Sequence, residues 1–189
     1  MDVTEAIRGR RSVGRLGGDV PEAVVRELIE LAAWAPNHRL TEPWRFTVVT
    51  GEARERLGAL WGTVAAARSG LEGDARIDFE RGQAAKLLRA PVLVFASTAT
   101  AGDPVVAEED FAATAAAIQN ILLGAHERGL GAMWRTGGIV REPAVKAFLG
   151  LEPADRIVGV VYLGVAQTPP PQPRPRNVQR AIVWIPAKG

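Results

Sequence analysis

Hydrophobic residues recur every three or four positions over much of the chain, which is the spacing of a helix that buries one face. The longest such segment is 105–128, where Phe111, Ile118 and Leu122 mark one face and alanine dominates the opposite one. Because this helix is apolar on all sides, we expect it to lie in the centre of the molecule. Shorter helices are predicted at 2–10, 22–35, 52–67, 75–90 and 142–149.

Runs of β-branched and other apolar residues predict strands between these helices, at 46–50, 92–96, 132–135 and 157–165. The segment that follows, Thr168 to Arg176, contains five prolines. Proline removes backbone donors, so we expect this segment to be an extended arm that joins neither helix nor sheet. A last strand-like run, 181–185, is reached only through the arm, which makes it a candidate for pairing with another chain.

Composition indicates one globular domain over 1–189, with 47% hydrophobic and 23% charged residues. The chain has no cysteine, which excludes disulfides and cysteine nucleophiles and fits a cytoplasmic protein. No signal-like segment is visible, and the uncharged stretch 111–125 of the long helix is too short to span a membrane. Basic and acidic residues are interspersed, with a net charge of +2, which argues against nucleic-acid binding. The two histidines, His38 and His126, lie far apart in the sequence without carboxylates at ligand spacing, so no metal site is predicted.

Common hydrolase and nucleotide-binding motifs are absent, and three polar segments remain as candidates for chemistry. Arg8 to Ser12 combines guanidinium groups with a hydroxyl at a helix end, which suits a phosphate; the alternative is a solvated arginine cluster. The loop from Trp34 to Phe46 holds two tryptophans, Asn37 and His38; the alternative is a helix end with packed aromatic residues. The segment Gly131 to Gly138 leads from a strand into a glycine-rich turn, where backbone amides can approach a ligand; the alternative is a simple turn.

Taken together, these segments resemble the nitroreductase family, and most closely its small, single-domain, FMN-dependent members. The resemblance runs from about residue 3 to 185. It implies an α+β fold with a mostly antiparallel sheet flanked by helices and a long buried central helix. It also implies a homodimer with an exchanged C-terminal arm and FMN at the subunit interface. The segments that carry it are Arg10-Arg11-Ser12, Ala35-Pro36-Asn37-His38, Pro43-Trp44-Arg45-Phe46 and Trp134-Arg135-Thr136-Gly137.

The resemblance further implies an oxidoreductase that transfers hydride from NADH or NADPH through FMN to an acceptor such as a nitroaromatic compound or a quinone. The flavin carries the chemistry, so no catalytic side chain is predicted. A second interpretation is a non-catalytic flavin-binding or redox-sensing protein. The implied cofactor-binding residues from one subunit are Arg10, Arg11, Ser12, Trp134, Arg135, Thr136 and Gly137. Those on the loop that supplies the partner's flavin are Trp34, Pro36, Asn37 and His38.

Two positions depart from the family pattern. Close relatives often have arginine where Trp34 stands, so the partner-chain contact to the phosphate or ribityl group is not implied here; stacking of Trp34 on the cofactor is the alternative. Larger members of the family carry a C-terminal basic pair on the flavin phosphate, and Arg174 and Arg176 lie near that place in the sequence.

Overall fold

Five strands form one sheet in the described part of the chain, which in this computed structural model comprises residues 1–99 and 102–185. The strands are β1 (Leu16–Gly17), β2 (Trp44–Thr50), β3 (Val92–Thr98), β4 (Gly131–Arg135) and β5 (Arg156–Ala166). Their order in the sheet is β1–β5–β3–β2, and β4 pairs with the same edge of β5 as β1. All four of these strand pairings are antiparallel, which confirms the predicted sheet type.

The two central strands explain the uninterrupted apolar runs in the sequence. Every residue of β3 is buried, and β5 is buried from Ile157 to Gly164. Because both faces of these strands are covered, neither face needs polar residues. The structure thus gives a physical reason for the two continuous runs predicted as buried strands.

Helices cover both faces of the sheet and give the molecule three layers. The helices are α1 (Val3–Gly9), α2 (Glu22–Ala32), α3 (Gly51–Ala67), α4 (Gly73–Leu87), α5 (Pro104–Glu127) and α6 (Pro143–Phe148). Helices α2 and α5 pack with one core cluster on one face of the sheet, while α3 and α6 pack with a second cluster on the other face. Helix α4 lies against α3 and contributes Leu87 to the second cluster. The α+β fold predicted from the sequence is therefore the observed one.

Helix α5 has the length that the sequence predicts but is not covered on all sides. Its N-terminus is capped by Asp103, whose side chain accepts a hydrogen bond from the Val105 amide at 2.8 Å. One face, which includes Ile118 and Ile121, is fully buried against the sheet. The opposite face, which includes Ala116 and Leu123, is only half-buried in the single chain. The expectation of a central position is met on one side of the helix only.

The predicted C-terminal strand, expected to pair with another chain, is not formed within the single chain. Residues 181–185 form no strand: Val178–Ala181 is a short 3₁₀ helix and 182–185 is irregular and exposed. The side chain of Trp184 is 86% exposed and that of Ile185 is 92% exposed. A strand needs a partner for its backbone groups, and no strand of the described chain pairs with this segment. The preceding arm is irregular, as predicted.

Candidate functional site

The first and third polar segments lie side by side in the structure. The Val13 amide donates a hydrogen bond to the carbonyl oxygen of Ala132 at 3.1 Å, and Ser12 forms a parallel bridge with Ala132. The end of α1 is therefore held against the beginning of β4. This arrangement brings Arg10, Arg11 and Ser12 to the edge of the sheet from which Trp134 to Gly137 continue.

Beside this edge lies a groove of about 800 Å³, which we call the arginine groove. One wall comes from the end of α1 and the residues after it, and the other comes from the proline-rich arm. Five arginines and one serine hydroxyl line it, and none of its lining residues is acidic. The arm therefore folds back along its own chain. The lining residues are Ile7, Arg8, Arg10, Arg11, Ser12, Pro171, Gln172, Pro173, Arg174 and Arg176.

The charges in the arginine groove act on one another. Burial lowers the pKa of Arg10 from its usual value, and the neighbouring cations Arg11 and Arg176 lower that pKa further. Nη1 of Arg11 donates to the carbonyl oxygens of Arg8 and Arg10, at 2.6 and 2.8 Å, which fixes the orientation of this side chain. A site that holds several cations together at an energetic cost is suited to an anion, and most of all to a doubly charged one.

The second polar segment lies elsewhere, against the N-terminal half of α5. Nδ1 of His38 lies 2.7 Å from Oε2 of Glu109, and the Thr41 hydroxyl donates to Oδ1 of the buried Asp110 at 2.8 Å. The backbone adopts positive φ at three non-glycine residues of this loop, Arg39, Leu40 and Glu42. This strained loop is thus anchored to α5, while Trp34 beside it is 85% exposed.

Within one chain, the loop and the arginine groove lie at opposite ends of α5. At the other end of the helix His126 is half-buried against α1: a Cβ placed on Gly9 would lie 2.7 Å from its Nε2. At ~1.5 Å per residue, the helix separates Glu109 from His126 by about 25 Å. A single chain therefore does not bring His38 to the arginine groove. The resemblance groups His38 with Trp34, Pro36 and Asn37. Their predicted contribution to a partner's site stays a prediction.

The four predicted residues at the end of β4 point in different directions. Trp134 packs against the α2 and α5 side of the core, with its Nε1 buried without a hydrogen-bond partner and in contact with Gly159. The Arg135 guanidinium faces the other side of the sheet, 5.6 Å from the ring centroid of Tyr162. Thr136 and Gly137 are exposed, and Gly137 adopts a φ of 111°, which favours glycine. Of these four residues, Thr136 and Gly137 are thus the ones most open to a ligand.

Sequence reasoning left some members of the arginine groove without a role. Arg8 lies in the first polar segment but is not among the residues that the resemblance implies for cofactor binding. Arg174 and Arg176 lie only near the place in the sequence where larger family members carry their C-terminal basic pair. Their signal in the sequence is the presence of two arginines in an arm that proline keeps out of helix and sheet. Proximity across more than 160 residues, however, depends on how the arm folds back.

Residues 1–99 and 102–185 contain neither a metal-binding cluster nor a helix that could span a membrane. The described residues contain no cluster of three or more histidine, cysteine or acidic side chains placed to hold a metal ion. No helix in the same residues is both long and apolar enough to cross a membrane.

Comparison with known proteins supplies the family. The family model described as the nitroreductase family matches residues 7–165. YfhC of Bacillus subtilis, named as a presumed NAD(P)H nitroreductase, is 32% identical over 88% of this chain and 85% of its own length. A nitroreductase-like protein of Bacillus cereus superposes with a TM-score of 0.84 at 28% identity, covering 98% of this chain and 96% of that one.

A further solved structure, of a presumed nitroreductase from Desulfovibrio desulfuricans in complex with FMN, has a TM-score of 0.74 at 25% identity. That likeness covers the whole of this chain and 99% of the other. The family match and the relatives agree with the motifs and with the sheet and helix order described above. The chain belongs to the nitroreductase family and is an oxidoreductase.

Proposed function

We propose that this protein binds FMN and uses it to oxidise NADH or NADPH and to reduce an acceptor such as a nitroaromatic compound or a quinone. The observation that carries the proposal is the arginine groove, where five guanidinium groups and the Ser12 hydroxyl meet without an acidic residue in the lining. A phosphate monoester is small, doubly charged and matched to guanidinium donors, so it fits this lining. The FMN complex of the Desulfovibrio relative supports the same cofactor.

The direction of β4 fits an elongated cofactor that has its phosphate in the arginine groove. Ala132, at the start of the strand, lies beside Ser12, and at ~3.3 Å per residue Thr136 lies about 13 Å further along. The exposed turn at Thr136 and Gly137 would then face the ring system, and its backbone amides would supply donors there. FMN, when bound, supplies the hydride-accepting and hydride-donating chemistry; the residues described here bind and orient it.

We further propose that the functional unit is a homodimer with the cofactor at the subunit interface and the C-terminal arm exchanged. Three features of the single chain support it: a half-buried face on α5, exposed apolar residues at 182–185, and the position of His38 far from the arginine groove. In this proposal the loop reaches the partner's cofactor, and residues 181–185 pair with the partner's sheet.

The first experiment is the absorption spectrum of the purified protein, followed by anaerobic addition of NADH or NADPH. We expect the bands of oxidised flavin at about one FMN per chain, and rapid loss of the longer-wavelength band after either dinucleotide is added. A protein that neither retains FMN nor takes it up on reconstitution would contradict the proposal. Stoichiometric FMN whose spectrum neither dinucleotide changes would favour the non-catalytic flavin-binding or sensing protein instead.

A further inference from the structure

A second positively charged cavity, of about 560 Å³, lies beyond the end of β4 and is lined by different arginines from those of the arginine groove. We call it the basic cavity. Arg141, Lys146 and Arg156 contribute its charge, and none of its lining residues is acidic. Its wall also includes Thr136 and Gly137, the exposed turn proposed above to face the flavin. The full lining is Phe111, Thr136, Gly137, Gly138, Val140, Arg141, Lys146, Arg156, Ile157 and Val158.

The three cations come from three separate elements. Arg141 ends the 3₁₀ helix Gly138–Arg141, Lys146 lies on α6, and Arg156 begins β5. Lys146 is held in place because its Nζ donates to the carbonyl oxygen of Pro153 at 2.9 Å. The guanidinium carbon of Arg156 lies over an aromatic ring, 3.8 Å from the centroid of Phe111.

These charges are not neutralised within the described part of the chain. None of the three cations forms an ion pair with a described acidic residue. The acidic residues next to them in sequence have other partners. Glu142 pairs with Arg68 at 2.8 Å, and Asp155 accepts a hydrogen bond from the Glu152 amide at 3.1 Å. The charge of the basic cavity is therefore available to an anion from solution.

We propose that the basic cavity binds a phosphate group of the dinucleotide co-substrate. This inference rests on the proposed function, since it takes NAD(P)H as the hydride donor. The turn of Thr136 and Gly137 belongs both to the proposed flavin site and to the wall of the basic cavity, so a dinucleotide that extends from the flavin past this turn would place its phosphates in the cavity. Guanidinium groups bind phosphate oxygens through paired donors, and the Arg156–Phe111 pair adds a flat surface for an aromatic base. The phosphate is either the 2′-phosphate of NADPH or the diphosphate that NADH and NADPH share.

The test uses the FMN-loaded, oxidised protein and isothermal titration with NADP⁺ and NAD⁺. The variants are Arg141→Gln, Arg156→Gln and the double variant, with Arg76→Gln on the exposed surface of α4 as the matched control. Each lost charge-assisted hydrogen bond weakens binding by a factor of about ten or more, so the double variant shows the largest loss. The control keeps affinity within about twofold of the unmodified protein.

The pattern of losses identifies the phosphate. Weaker binding of NADP⁺ alone assigns the 2′-phosphate, while equal losses for both dinucleotides assign the shared diphosphate. A double variant that binds both dinucleotides as well as the unmodified protein overturns the proposal. Failure of the proposed function gives a different result, because the unmodified protein would then lack FMN or would not be reduced by either dinucleotide.

Discussion

Replacement of Arg10 by alanine should weaken FMN binding while leaving riboflavin binding unchanged. Arg10 is half-buried and belongs to a set of five cations, so its contribution should exceed that of an exposed ion pair. A hydrogen bond to a charged group contributes about 1.5–3 kcal/mol. Four arginines remain in the arginine groove and compensate in part, so we expect the lower half of that range. This corresponds to a loss of FMN affinity of about 10- to 40-fold.

The assay is quenching of flavin fluorescence on titration of the apoprotein, with FMN and riboflavin measured in parallel. Riboflavin lacks the phosphate, so Arg10→Ala and Arg176→Ala should each change its affinity by less than about twofold, as should the control Arg76→Ala for both ligands. Stability of the apoprotein gives a second measure. Because Arg11 and Arg176 lower the pKa of Arg10 by repulsion, loss of one of these cations should not destabilise the empty groove. Equal loss of affinity for FMN and riboflavin would refute a phosphate site here.

Three further predictions concern the assembly and the core. Sedimentation equilibrium should show a homodimer, and a chain that ends at Arg176 should dimerise more weakly; a monomer with stoichiometric FMN would contradict this. When Arg10→Ala and His38→Ala chains are mixed, half of the sites in verified heterodimers should bind FMN with unmodified affinity, whereas a site built from one chain would give no such class. Gly159→Ala should lower the free energy of unfolding by about 1–3 kcal/mol, because its methyl group would collide with Trp134. Denaturation with urea measures this loss, and an unchanged midpoint would refute the close contact.

Elements defined by local patterns were predicted well from the sequence. Helix α1, predicted at 2–10, begins with a capping box, in which the Glu5 amide donates to the Asp2 side chain at 2.8 Å and the Asp2 amide donates back to the Glu5 side chain at 2.9 Å. The buried strands β3 and β5 and the long helix α5 also follow from patterns within each segment. In each case the residues that decide the structure lie within a few positions of one another, so no knowledge of the tertiary fold is needed.

Features that depend on distant residues were predicted less well. The spacing of Leu31 from Leu28 favours a place on the buried face of α2, but Leu31 is 38% exposed, while Val25 is buried. The direction of the proline-rich arm cannot be predicted from the sequence either, because proline restricts the local backbone and does not determine the surface against which the arm lies. The basic cavity gave no signal because its three cations are 5 to 15 residues apart and meet only through the packing of α6 beside β5.

The distance between the two halves of the proposed site is itself an argument for a two-fold dimer. The arginine groove lies near the C-terminal end of α5 and the loop of His38 near its N-terminal half, about 25 Å apart at ~1.5 Å per residue. When two copies of α5 pack antiparallel through their half-buried faces, each N-terminal end meets the C-terminal end of the other. A two-fold axis repeats every contact, so one interface would complete two sites and cover both apolar faces. The same axis gives residues 181–185 of each chain a route to the sheet of its partner, which would bury the side chains that a single chain leaves in water.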